Sequence, residues 1–333
     1  KILKLKYGIR LKKKNFFEIM SAAQKFRTTF QLGTKINWFP GHMRNSLAQM
    51  QAKMRSVDVV VEVHDSRIPF SGRNPLFVKS LLGTRPHILV LAKMDLIDSS
   101  SCKKITTKYL EENQKNVIFA NCLNQNCLGL KKILPLTVSL IKDSPQILTS
   151  NSIKYKVMIV GVPNVGKSSL INRLRHINLR KGKATLVGSN PGVTMSVQNE
   201  IKVCTDPPIF LIDTPGIFIP NVSDIECGMK LALCSCVKNN LIGEYTIADF
   251  LLYWMNKTEN FKYVDILGLK EPIDDILPLI TKIAVSSNKF LIKKNVANNA
   301  LEKIPDINFG AVQMIKLFRN GNFGDLNLDG SYF

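Results

Sequence analysis

The sequence predicts an α/β fold, a mostly parallel six-stranded sheet followed by an α-helical C-terminal domain, and three observations predict it. Apolar, β-branched runs near 57–63, 87–91, 117–120, 156–160, 197–204 and 208–212 alternate with helix-like stretches. The fourth run leads through Gly161-Val162-Pro163-Asn164-Val165-Gly166-Lys167-Ser168 into the helix-like Ser169–Leu174, which makes a strand, a glycine loop and a helix in succession. Beyond residue 223, apolar side chains recur at helical spacing, as in Ile225, Met229, Ala232, Leu233 and Cys236, or Ile247, Phe250, Leu251 and Trp254.

The glycine loop fits the phosphate-loop pattern. Backbone N–H groups from Asn164, Val165 and Gly166 into Ser168 and Ser169 point at a phosphate chain, and the following helix adds the positive end of its dipole. Lys167 is expected to reach the β- and γ-phosphates, and Ser168 to ligate Mg²⁺. Asp213-Thr214-Pro215-Gly216 closes the sixth run; Asp213 is expected to stand behind the metal, and the Gly216 N–H to face the γ-phosphate. Between the two motifs, Gly188 to Thr194 carries the Gly and Pro of a mobile segment, with Thr194 placed to ligate Mg²⁺.

A guanine-specific site needs an Asn-Lys-x-Asp motif, and none follows the phosphate loop. The nearest match lies upstream, where Ala92-Lys93-Met94-Asp95 ends the second run. Asp95 suits the guanine N1–H and exocyclic amine, and Lys93 the plane of base and ribose. The motif order is then circularly permuted. Here the chain resembles the circularly permuted GTPases of ribosome assembly, most closely their mitochondrial ribosome-associated branch. The resemblance runs from about Asn37 to the end and rests on Trp38-Phe39-Pro40-Gly41-His42-Met43, the Gly161–Ser168 loop and Asp213–Gly216.

The resemblance implies a P-loop G domain at 37–222, with a guanine-recognition half at 57–141, a linker at 142–154 and a phosphate-binding half at 155–222. A helical C-terminal domain at 223–333 is expected to contact the ribosome. It also implies a base contact from the loop at Asn121 and Cys122, and K⁺ beside the phosphates through Asn164. His42 is the implied catalytic group. Ras-like enzymes orient water with a Gln after the D-x-x-G motif, but Ile217 stands there and its side chain cannot hydrogen-bond, so another group must polarise the nucleophile; an imidazole can, His42 and His64 are the upstream candidates, and the resemblance favours His42. The loop His64-Asp65-Ser66-Arg67-Ile68-Pro69 matches a family pattern whose Asp and Arg brace either the guanine pocket or the ribosomal contact.

Composition agrees with a polyanionic partner. The net charge is +21 and the pI about 9.7. Seven cysteines without a C-x-x-C pair argue against a disulfide framework and against zinc. No apolar run reaches the roughly 20 residues that span a bilayer. Residues 1–36 hold Glu18 as their only acid and read as a targeting or disordered segment.

The expected function is a GTP-hydrolysing assembly factor for the mitochondrial large ribosomal subunit and its rRNA, with hydrolysis as a release switch. A monomeric matrix protein, peripheral on the inner membrane, is implied by the resemblance. The competing reading is an rRNA-binding scaffold gated by nucleotide with negligible turnover, which Ala92 and Ile217 support. Ala92 stands where the family has Asn and lacks its amide bond; one such bond is worth about 0.5–1.5 kcal/mol net. Ala92→Asn is therefore expected to tighten GTP binding by about that amount in a direct titration, and an unchanged affinity contradicts this.

Overall fold

The computed structural model describes residues 26–32, 42–73, 85–144, 154–185, 200–216, 224–294 and 300–332, with the side chains of 42–47 outside the description. They form two compact units. One comprises the described residues from 42 to 242 together with 319–332; the other comprises 26–32 with 243–318.

The first unit is built on six strands: β1 (Val59–Asp65), β2 (His87–Ala92), β3 (Val117–Ala120), β4 (Tyr155–Val160), β5 (Glu200–Thr205) and β6 (Pro208–Asp213). They lie in the order β3-β2-β1-β4-β6-β5, all parallel except the antiparallel β5. Every strand read from the sequence is present. The sheet interior is made of apolar runs such as Val59–Val61 and Ile88–Leu91, the pattern of strands buried on both faces.

Helices supply the cover. α1 (His42–Met54) lays Met50 and Met54 over Val60, Met158, Val160 and Ile212, bridging β1, β4 and β6. α2 (Ser99–Glu111), capped by the Asp98 carboxylate on Ser101 N, packs Ile105 and Tyr109 on Leu89 and Leu91. Register places Leu89 and Leu91 beside Glu62 and His64, on the face that also carries Val60. α3 (Leu128–Lys142) lies against the other face; a Cβ on its Gly129 would sit 1.8 Å from the Phe119 carbonyl oxygen, so only glycine allows the approach. α4 (Lys167–Leu179) and α5 (Ile225–Leu233) complete this unit.

The second unit contains α6 (Glu244–Lys257), α7 (Lys262–Ile266), α8 (Ile276–Ser286) and α9 (Ile307–Arg319), whose last residue belongs to the first unit. It is helical, as the spacing predicts, with one addition. β7 (Phe290–Lys294) and β8 (Leu301–Pro305) form an antiparallel ribbon that helical periodicity conceals, because five-residue runs are too short to establish a period.

Residues 26–32 fall within the 1–36 segment read as targeting or disordered, yet they pack in the helical unit: the Arg27 guanidinium makes paired bonds of 2.8 and 2.9 Å to Asp249, its Nε reaches Asp274, and Phe30 stands edge-on to Phe250 at 5.1 Å. Basic composition conceals this because Arg27 is spent on two specific carboxylates rather than on solvent. Arg27→Ala is expected to cost about 1–2 kcal/mol, discounted for its partial exposure, and to open this segment to proteolysis; an unchanged melt and digestion pattern contradicts the assignment.

Candidate functional site

Parallel register brings the sequence motifs to one edge of the sheet. Asp65 pairs with Ala92, Ala92 with Ala120, Glu62 with Val160, and Ile159 with Asp213. The C-terminal ends of β1, β2, β3, β4 and β6 therefore share a level, and the loops leaving them converge there, where open α/β sheets bind ligands.

The loop after β4 turns because three residues take positive φ: Gly161 at 147°, Asn164 at 59° and Gly166 at 106°. At Gly161 a side chain is impossible, since its Cβ would lie 2.2 Å from the Val63 carbonyl oxygen. α4 then starts at Lys167. The Lys167 ammonium is buried and folded back on the loop, donating to the carbonyls of Gly161 at 3.1 Å and Val162 at 2.9 Å. Burial pulls its pKa down to about 8, against the upward pull of Asp213.

β6 delivers its own motif to the same place. Ser168 Oγ donates to Asp213 Oδ2 at 3.0 Å, while Asp213 Oδ1 is buried with no hydrogen-bond partner among the described residues. Burial also raises the Asp213 carboxyl above its ordinary range, against Lys167 and Ser168. A buried carboxylate oxygen without a donor, beside a serine hydroxyl at the mouth of a phosphate loop, fits a hydrated divalent cation. Gly216 approaches so closely that its Cβ would lie 2.4 Å from Pro163 N. Thr194 and Ile217 lie outside the described residues, and so does the His42 side chain, although its backbone opens α1.

The recognition half meets this loop through one side chain. Lys93, held at φ 57°, sends its Nζ to Asp65 Oδ2 at 2.8 Å and to the Asn164 carbonyl at 2.9 Å. Burial alone would raise the Asp65 carboxyl, but Arg67 and Lys93 outweigh it and hold it well below the carboxylate range. The Ser66 N–H and hydroxyl both donate to the Ala92 carbonyl, at 2.8 and 2.6 Å. Lys93 thus bonds the phosphate loop from the recognition loop, beside Ala92, whose side chain has no hydrogen-bonding group. His64 is 1% exposed, with Nε2 2.7 Å from Glu62 Oε1, which places it in the core.

A cavity of about 730 Å³ opens beside these motifs. Of the predicted residues, Lys93, Asp95, Asn121, Cys122, Val165, Gly166 and Ser169 line it, together with Ala92. Arg173, His176, Lys181 and Lys183 line it too and escaped the sequence reading as site residues, although the basic run 173–183 is visible there. Asn172 explains how that run is held. Its amide bonds both ways to Thr185, and Thr185 Oγ1 donates to the Ser168 carbonyl at 3.1 Å. Asn164 Nδ2 donates to the Ser235 carbonyl at 2.9 Å, a contact no motif announces. Among the described residues no cluster of His, Cys, Asp and Glu suits a metal ion, and no helix is long and apolar enough to cross a membrane.

Comparison with known proteins matches residues 156–282 to a family described as 50S ribosome-binding GTPase. The chain is 44% identical over 315 residues to mitochondrial ribosome-associated GTPase 1 of Ictalurus punctatus, covering 93% of this chain and 98% of that one. It is also 44% identical over 294 residues to the Bos taurus protein of the same name, covering 88% of each. Among solved structures, GNP-bound YlqF from T. maritima superimposes with a TM-score of 0.53 at 22% identity, over 85% of this chain and 97% of that one, which supports the fold.

The depressed Lys167 pKa sets a pH dependence. A bound phosphate favours the ammonium, so binding takes up a proton wherever the free protein has lost it, at pH above about 8. GDP affinity is expected to hold steady below that pH and to fall by up to about tenfold per unit above it. Calorimetry at pH 8.5 in two buffers of different ionisation enthalpy should register the uptake, and Lys167→Arg should remove it. Equal heats in the two buffers for the unaltered protein contradict the assignment.

Proposed function

The chain belongs to the mitochondrial ribosome-associated GTPases, and from that premise we propose that it assembles the large subunit of the mitochondrial ribosome, with GTP hydrolysis as its release switch. The observation that carries the reading is the Lys93 bridge, which joins a guanine-recognition motif to a phosphate loop lying downstream of it. The names of the relatives and the net charge of +21 favour an rRNA-rich partner.

In this reading Asp95 and Lys93 hold guanine, with Asn121 and Cys122 at its edge, and the loop from Asn164 to Ser169 holds the phosphates. Ser168 and Thr194, with Asp213 behind them, would hold Mg²⁺, which neutralises charge on the β- and γ-phosphate oxygens when bound. Asn164 would place K⁺ beside the same phosphates. A water attacks the γ-phosphorus as the bond to the β-phosphate bridging oxygen breaks, and His42 polarises that water. Gly216 reads the γ-phosphate and passes its loss to the segment that follows. The helical unit is the ribosome-facing element, and the protein works as a monomer in the mitochondrial matrix, peripheral on the inner membrane.

The test is single-turnover GTP hydrolysis in potassium buffer, with and without purified mitochondrial large subunits. A large acceleration by the subunit is expected, lost in His42→Ala and reduced when Na⁺ replaces K⁺. No acceleration, with GTP-dependent subunit binding intact, overturns the release switch in favour of a nucleotide-gated scaffold.

A further inference from the structure

The end of the chain returns to the first unit and places a carboxylate inside it. Asp329 is fully buried. Its Oδ2 accepts the backbone N–H groups of Phe70 and Ser71, both at 2.8 Å; its Oδ1 accepts the Ser71 hydroxyl and lies 3.4 Å from Lys230 Nζ. Beside it, Leu328 N donates to the Arg67 carbonyl at 2.8 Å, and the Tyr332 ring rests 5.2 Å from that of Phe70.

Apolar contacts would suffice to hold a tail down, and this one has them in Leu326, Leu328 and Tyr332. Burying a carboxylate is costly unless donors converge on it with good geometry, and a group so satisfied fixes one arrangement of its partners. Apart from Lys230 on α5, the partners here belong to the loop that carries Arg67. Arg67 is held at its carbonyl by the tail, and its guanidinium grips Asp65 through Nε at 3.0 Å and Nη2 at 2.8 Å. Asp65 so oriented presents Oδ2 to Lys93, and Lys93 spans to Asn164. Nothing in this chain of contacts involves Asp329 touching the cavity.

We propose that Asp329 is a positioning residue for guanine-nucleotide binding, acting through the Phe70–Ser71 backbone, Arg67 and Asp65 on Lys93. The C-terminal tail is then part of the nucleotide site's support and not a loose end. The proposal rests on the reading of Lys93 and Asp95 as the guanine motif.

The test measures GDP dissociation constants for the full chain carrying Asp329→Asn, Lys93→Met or both, each checked for folding by its melt. Asp329→Asn is expected to weaken GDP about five- to tenfold and to do little in the Lys93→Met background, because the two act in series. Ser71→Ala, which removes one donor and keeps the fold, is expected to weaken GDP about twofold. Losses that multiply independently in the double variant make Asp329 merely structural and overturn the proposal. Unchanged affinity in Asp329→Asn and Ser71→Ala, with Lys93→Met weakened, overturns it alone. Unchanged affinity in Lys93→Met overturns it together with the guanine assignment.

Discussion

One ammonium group holds the site together. Lys93 Nζ binds the Asp65 carboxylate and the Asn164 carbonyl at once, and these two partners lie on opposite sides of the linker that joins the halves of the sheet. The bond is possible because β1 sits between β2 and β4 in parallel, so that the loops leaving all three strands meet at one edge. In a permuted chain nothing in the sequence order forces the recognition loop to face the phosphate loop. The register brings them level, and a charge-assisted bond, roughly twice as strong as a neutral one, fixes their spacing.

Permutation also changes what lies beyond β6. β6 ends at Asp213 and the chain proceeds to α5 and the turn at Cys234–Cys236, whose Ser235 carbonyl receives the Asn164 amide. It then leaves for the helical unit after Ile242 and returns at Arg319. Arg319 bonds the carbonyls of Ala232 and Leu233 at the end of α5 and the side chain of Asn239. The phosphate loop and residue 319 are thus bonded to neighbouring stretches, 232–239, of the first unit.

Much of this was legible in the sequence, for identifiable reasons. Strands buried on both faces announce themselves as apolar runs, and all six were found where Val, Ile and Leu cluster. The motifs that converge at one end of the sheet, Gly161–Ser168, Asp213 and Lys93-Met94-Asp95, stand out in the sequence because they hold particular residues at fixed spacing. Contacts between side chains distant in sequence do not. Asp329 on Ser71 and Arg27 on Asp249 each join residues more than 200 positions apart, and an isolated Asp or Arg carries no mark of its partner. The sequence also carries no sign that Asp65 meets Lys93, 28 positions away.

The central claim is that a motif placed before the phosphate loop reads the base. Competition between GDP and xanthosine diphosphate tests it most directly, on the unaltered chain and on Asp95→Asn. Exchanging the carboxylate for an amide replaces one of its two acceptors with a donor, which suits the xanthine C2 carbonyl in place of the guanine amine, so the account predicts that a preference for GDP becomes a preference for the xanthine nucleotide, a shift of at least about a hundredfold in the affinity ratio. A variant that keeps its preference for GDP would contradict the account and place guanine recognition elsewhere in the chain.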